Sequence, residues 1–190
     1  MEEEVKMDQA WRSKCANKHF FEPTYSGALS FLRRPYRDQE DLTFDIDVAV
    51  TGVPFDNAVT YRPGARLGPR AIRAASVQLA ELKAFPSGLQ ISDYLNVVDV
   101  GDCFLNPHDP MTIFDAIHAH ALGIIQKGSK LCTFGGDHYI AGPLVKAHFD
   151  HYGPIALLHF DGEYNEQKRV HEYIYLSTCV CISFLCLRLL

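Results

Sequence analysis

The sequence is short of positive charge: 18 lysines and arginines stand against 23 aspartates and glutamates, a net charge of −5. That balance excludes a nucleic-acid footprint, which would be basic. It leaves the cluster Arg33-Arg34-Pro35-Tyr36-Arg37 as a solvated loop. No apolar segment opens the chain; MEEEVKMDQAWRSK is acidic. No secretory signal is therefore expected, and the expected compartment is cytoplasmic or mitochondrial. A disulfide framework is lacking as well. Of the six cysteines (Cys15, Cys103, Cys132, Cys179, Cys181, Cys186), three fall in the last twelve residues. Free thiols in a reducing compartment are the expectation. Residues 173–190 have the length of a marginal membrane span. Arg188 and several polar residues interrupt it, and no basic cluster or aromatic belt frames it, so no membrane is expected as a partner. Internal repeats, low-complexity runs and a domain-splitting linker are also missing.

What is present is ordinary for a globular chain: 47% apolar and 22% charged residues over a length of 190, enough for one sizeable domain. Four short apolar runs, residues 46–53 (IDVAVTGV), 95–100 (LNVVDV), 130–134 (KLCTF) and 154–160 (PIALLHF), are rich in β-branched or aromatic residues. Continuous apolarity without alternation suits parallel strands covered on both faces. Helical patterns lie between them. Residues 68–84 carry Ile72, Ala75, Leu79 and Leu82 at helical spacing, with Pro69 suited to a first turn. Residues 110–126 repeat the pattern through Ile113, Ile117, Ala121, Leu122 and Ile125, with Gly128 placed as a C-cap. A shorter helix is expected over 140–151, interrupted early by Pro143. Strands alternating with helices predict an α/β fold with a mainly parallel sheet. Residues 1–41 read as an irregular N-terminal arm.

In such sheets ligands bind beyond the carboxyl ends of the strands. Asp56, Asp102, the pair Asp137-His138 and Asp161 each follow one of the four strands, so the four positions are expected to converge on one cleft. The glycines of Gly135-Gly136-Asp137-His138 let the backbone turn sharply and approach a site closely. Imidazole and carboxylate together suit Mn²⁺, Zn²⁺ or Fe²⁺ better than a hard-oxygen Ca²⁺ site. Residues 52–73, GVPFDNAVTYRPGARLGPRAIR, form a long ordered loop running into a helix. Its Arg62, Arg66, Arg70 and Arg73 are expected to tie the loop to carboxylates through forked hydrogen bonds.

These motifs in this order, with DVGD, FGGDH, LLHFD and the earlier SGALSFLRRPY, resemble the ureohydrolase (arginase/agmatinase) family, and its agmatinase branch most closely. The resemblance runs from about Tyr25 to Asp161; guanidinobutyrase-type enzymes are the alternative branch. It implies a three-layer α/β/α sandwich with a binuclear Mn²⁺ site. There a bridging hydroxide attacks the guanidinium carbon of a small-molecule guanidino substrate. For agmatine the products are urea and putrescine, which places the reaction in polyamine biosynthesis. It also implies a homo-oligomer. His138 matches the family's first metal-binding histidine and Asp161 the first aspartate of its Asp-Ala-His-x-Asp motif. Asp137 matches a partner lying behind the ligands.

After Asp161 the sequence departs from the family. Gly162-Glu163-Tyr164-Asn165 stands where Ala-His-x-Asp is expected, and the later Asp-x-Asp motif does not occur. Two of the family's six ligands remain, and no catalytic residue is assigned beyond them. The expectations are therefore an incomplete sheet, a chain that is inactive alone, and possible service as a non-catalytic, partner-binding subunit. Residues 42–161 would be the N-terminal half of a ureohydrolase domain and 162–190 an aberrant apolar tail. Gly162-Glu163-Tyr164 can be encoded GGT-GAG-TAT, which contains a splice-donor match, so the tail is expected to be a retained intron read as protein.

Overall fold

β1 (Val48–Gly52) is buried from Ala49 onward, because its Val-Ala-Val-Thr run has an apolar layer on each face. The computed structural model describes residues 27–80, 82–158 and 185–187. Along the chain β1 is followed by α1 (Gly68–Ser76), β2 (Val97–Asp102), α2 (Ile113–Gln126), β3 (Lys130–Phe134), α3 (Ala141–Tyr152), β4 (Ala156–Leu158) and β5 (Leu185–Leu187). β2, β1 and β3 form one sheet in that order, with both pairings parallel. This is the α/β architecture expected, reached by crossover connections that carry a helix.

Three groups of buried side chains hold the sheet to its helices. Leu42, Ile46, Ala49, Val98, Val100 and Ile124 form one. Val53, Cys103, Ile113, Ile117 and Ile140 form the second. Ala121, Ile125 and Ala147 join α2 to α3. Each fully buried isoleucine here is worth about 1.5–3 kcal/mol of transfer free energy. The apolar face read for α2 is the buried one: Ile113, Ile117, Ala121 and Ile125 all lie inside. Gly128, with φ +91, supplies the left-handed cap, its N–H reaching Ile125 O at 3.0 Å.

Three expectations need correction. The stripe expected to bury α1 lies outside: Ile72, Leu79 and Leu82 are exposed, whereas Pro69, Arg73 and Ser76 are inside. The helix also ends at Ser76 and tightens into a 3-10 turn over Val77–Leu79. Pro143 does not interrupt α3. It is the third residue of that helix, in a turn whose N–H groups have no intrahelical acceptor.

The fourth strand also differs. β4 pairs antiparallel with β5 (Ala156↔Leu187, Leu157↔Cys186, Leu158↔Leu185) and not with β3. Among the described residues the outer edge of β3 has no ladder partner. No helix of the described residues is long and apolar enough to cross a membrane.

Residues 30–36, ahead of β1, are tied into the fold. Ser30 and Arg33 are buried; Phe31 N donates to Asp99 Oδ2 (2.7 Å) and Leu32 N to Ser76 Oγ (2.8 Å). Tyr36 bridges to Asp99 at the edge of β2.

Candidate active site

β3 ends at Phe134, and Gly135-Gly136-Asp137-His138 crosses the carboxyl edge of the sheet. Neither glycine has a positive φ, so a sharp left-handed turn is not what requires them. Close approach is. A Cβ on Gly136 would lie 2.3 Å from Phe55 O and 2.7 Å from Val53 O. Those are backbone atoms of the loop after β1, and no side chain fits between.

Asp137 fastens that contact. Its N–H donates to Phe55 O at 2.7 Å. Its Oδ2 accepts from Ala58 N (2.8 Å) and its Oδ1 from Tyr139 N (3.0 Å). Both carboxylate oxygens are therefore engaged, one on the β1 loop and one capping the 3-10 turn His138–Ile140. The ring of Tyr139 lies 5.3 Å from that of Phe55. His138, the first residue of the turn, is exposed. It lines a groove of about 580 Å³ between β3, α3 and α1, together with Asp137, Thr133, Ile72, Leu144 and His148.

The other aspartates do not meet there. Asp56 is buried and turned back into its own loop: Oδ2 accepts from Gly64 N (2.6 Å) and Arg66 N (3.2 Å), and Oδ1 from the Arg66 guanidinium. The Arg66 side chain, with the backbone N–H groups of Gly64 and Arg66, holds this carboxyl down to about 2. Asp102 is taken by Arg73, whose Nη1 donates to its Oδ1 at 2.6 Å. Both carboxylates are claimed by arginines of the loop and α1, so Asp56 and Asp102 do not join the Asp137-His138 corner. Asp161 lies outside the described residues. Two of the four arginines thus tie the loop and helix to carboxylates as expected. Arg62 instead lies over the ring of Tyr61, 5.1 Å from its centre.

Two features were missed from the sequence. Asp99, inside β2 and fully buried, is gripped by Arg73 through Nε–Oδ2 (2.8 Å) and Nη2–Oδ1 (2.9 Å). An aspartate inside an apolar strand was the available signal, since a buried charge demands a partner. The second lies on the adjoining strand. Thr51 Oγ1 donates to Gly101 O (2.9 Å), so His120 Nε2, 2.8 Å from the same hydroxyl, must be the N–H donor. Burial pushes the pKa of this imidazole down, which favours its neutral form.

A parallel sheet flanked by helices, with a glycine-tight histidine turn at its carboxyl edge, defines an α/β protein of the kind that binds small ligands at strand ends. A profile described as the Arginase family matches residues 46–174. The chain is 56% identical over 142 residues to an agmatinase of Chromobacterium violaceum, covering 74% of this chain and 43% of that protein. In structure it is similar to a hypothetical agmatinase from Burkholderia thailandensis, with a TM-score of 0.72 and 50% identity, over 81% of this chain and 48% of the other. It is also similar to proclavaminate amidino hydrolase from Streptomyces clavuligerus, with a TM-score of 0.66 and 34% identity, over 74% and 46%. The chain belongs to the arginase family. It spans about half the length of the relatives it matches.

Proposed function

We propose that this chain carries part of an agmatinase-type ureohydrolase, which cleaves a guanidino C–N bond and, with agmatine, gives urea and putrescine. The observation that supports this best is the Asp137-His138 corner: an exposed imidazole beside a groove, on a turn held too tightly for any side chain at Gly136. Identity to the Chromobacterium agmatinase favours agmatine over 4-guanidinobutyrate as the substrate.

Among the described residues no three or more His, Cys, Asp or Glu side chains are grouped to hold a metal ion. His138 is the described donor, and Asp161 is the second donor in this proposal. An imidazole with a carboxylate suits Mn²⁺, which when bound lowers the pKa of water from ~15.7 toward ~7. The chain's own contribution is positional. Asp137, with both oxygens occupied, orients the His138 turn beside the groove.

Gly162, Glu163 and Asn165 stand where the family motif has Ala, His and Asp, so turnover by this chain is expected to stay well below the ~1 s⁻¹ of ordinary enzymes. The test is Mn²⁺ binding followed by electron paramagnetic resonance, alongside urea release from agmatine. Binding by the unaltered chain that His138→Ala weakens by about tenfold or more supports the site, since a lost ligand costs at least as much as a lost partner behind one. Identical affinities in the two proteins remove His138 from it. A second reading, a non-catalytic subunit that docks on a homologous chain, is favoured by the outer edge of β3, which among the described residues has no ladder partner.

A further inference from the structure

We infer that the Asp56–Arg66 ion pair is a positioning device for the His138 turn, acting through Ala58 and Asp137 without touching substrate. The inference rests on the proposed role of His138 and names the element that sets its place.

The loop after β1 has two anchors, and they adjoin. On the sheet side, Val53 N donates to Phe134 O (2.8 Å), Asp137 N to Phe55 O (2.7 Å), and Ala58 N to Asp137 Oδ2 (2.8 Å). The Gly136 backbone is seated against Val53 O and Phe55 O, so residues 53–58 and 134–139 are closely joined. Asp56 and Asn57 lie between those attachment points. Asp56 gathers Gly64 N, Arg66 N and the Arg66 guanidinium, while Arg66 Nη2 also donates to Asn57 Oδ1 at 2.8 Å. The loop from 56 to 66 is therefore closed on itself at the point where it meets the Asp137 clamp.

Removing that closure frees residues 57–65, and their motion pulls on Ala58, the residue that holds one oxygen of Asp137. The other oxygen caps the turn that begins at His138. The path from Arg66 to His138 thus runs Arg66, Asp56/Asn57, Ala58, Asp137, with a hydrogen bond or one peptide link at each step. The Asp56 carboxylate is buried while the Arg66 side chain is half exposed. This suits a latch on the rim of a site better than a group that binds substrate, because both oxygens of Asp56 are already engaged within its own loop.

The experiment uses the full chain and two readouts. Amide exchange at Ala58 and Tyr139 reads the clamp directly. Relaxation of the His138 imidazole resonance by Mn²⁺ reads the site. In Arg66→Met and in Asp56→Asn, protection at both amides should fall by about tenfold while Val50 and Val98 in the β1–β2 ladder change less than about twofold, as local opening requires. Arg66→Lys should restore part of the loss in each amide. Asn57→Ala, which leaves Asp56 and its ion pair in place, should show a smaller loss at Ala58 and guards against a variant that fails to fold. Unchanged protection at Ala58 and Tyr139, an equal loss throughout the ladder, or no recovery in Arg66→Lys overturns the inference. A His138 resonance that Mn²⁺ never relaxes in the unaltered chain counts against the proposed metal role instead, and the amide result still decides whether the latch exists.

Discussion

Arg73 on α1 grips Asp99 inside β2 with two arms of its guanidinium, at 2.8 and 2.9 Å, and sends the third to Asp102 at 2.6 Å. The pair sits at a bulge where Val50↔Asp99 gives way to Gly52↔Asp102, one extra residue on β2. Gly101, at φ +76, fills the bulge and turns its carbonyl toward both Arg73 Nη2 (3.0 Å) and the Thr51 hydroxyl (2.9 Å). One strongly connected polar knot therefore fixes α1 to the sheet.

Breaking that knot from one side should be costly. Arg73→Met leaves Asp99 charged and buried, and a loss of about 3–5 kcal/mol is expected in denaturant unfolding. Combining Arg73→Met with Asp99→Asn should cost clearly less than the sum of the two single changes, because no stranded charge remains. Simple additivity would show that the two side chains do not act as a pair.

Gly136→Ala tests the close approach. Its new Cβ meets backbone oxygens at 2.3 and 2.7 Å, so the loop or the turn must move. A destabilisation of about 1–3 kcal/mol is expected, the usual cost of overpacking, together with loss of Ala58 amide protection. Thermal unfolding indistinguishable from the unaltered chain would contradict the geometry.

Acid should release the β1 loop late. The Asp56 carboxyl is depressed to about 2, with the Arg66 hydrogen bond the largest cause and the Gly64 and Arg66 amides adding to it. A depressed carboxyl stabilises the fold fully above its unfolded value, ~3.9, and that stability is lost as pH falls through the folded value. The Gly64 and Arg66 amide resonances should therefore hold steady from neutral pH down to about pH 4 and titrate together near pH 2. A midpoint near 4 for both would mean that Arg66 does not hold Asp56 in solution.

Much of the candidate site was legible in the sequence, and the exceptions have a common cause. The Gly-Gly-Asp-His turn and the strand ends follow from local residue chemistry. The expectation that Asp56 and Asp102 would join His138 failed because a strand-end position does not say which way a carboxylate turns. Arg66 and Arg73 decide that. The apolar side of α1 failed in the same way. By period alone Ile72, Leu79 and Leu82 look like a core stripe, yet the inside is taken by Arg73.

By itself the sequence determined the succession of strands and helices, the parallel sheet, the buried face of α2 and the cap at Gly128. Each depends on contacts a few residues apart, on apolar period, or on the backbone freedom of a single residue. Tertiary structure alone decided the buried face of α1, the direction of each strand-end carboxylate and the partner of β4. Arg73 can be buried only because β2, 26 residues further on, brings Asp99 beneath it. A desolvated guanidinium with two carboxylates outweighs three exposed apolar side chains, and no local pattern carries that balance.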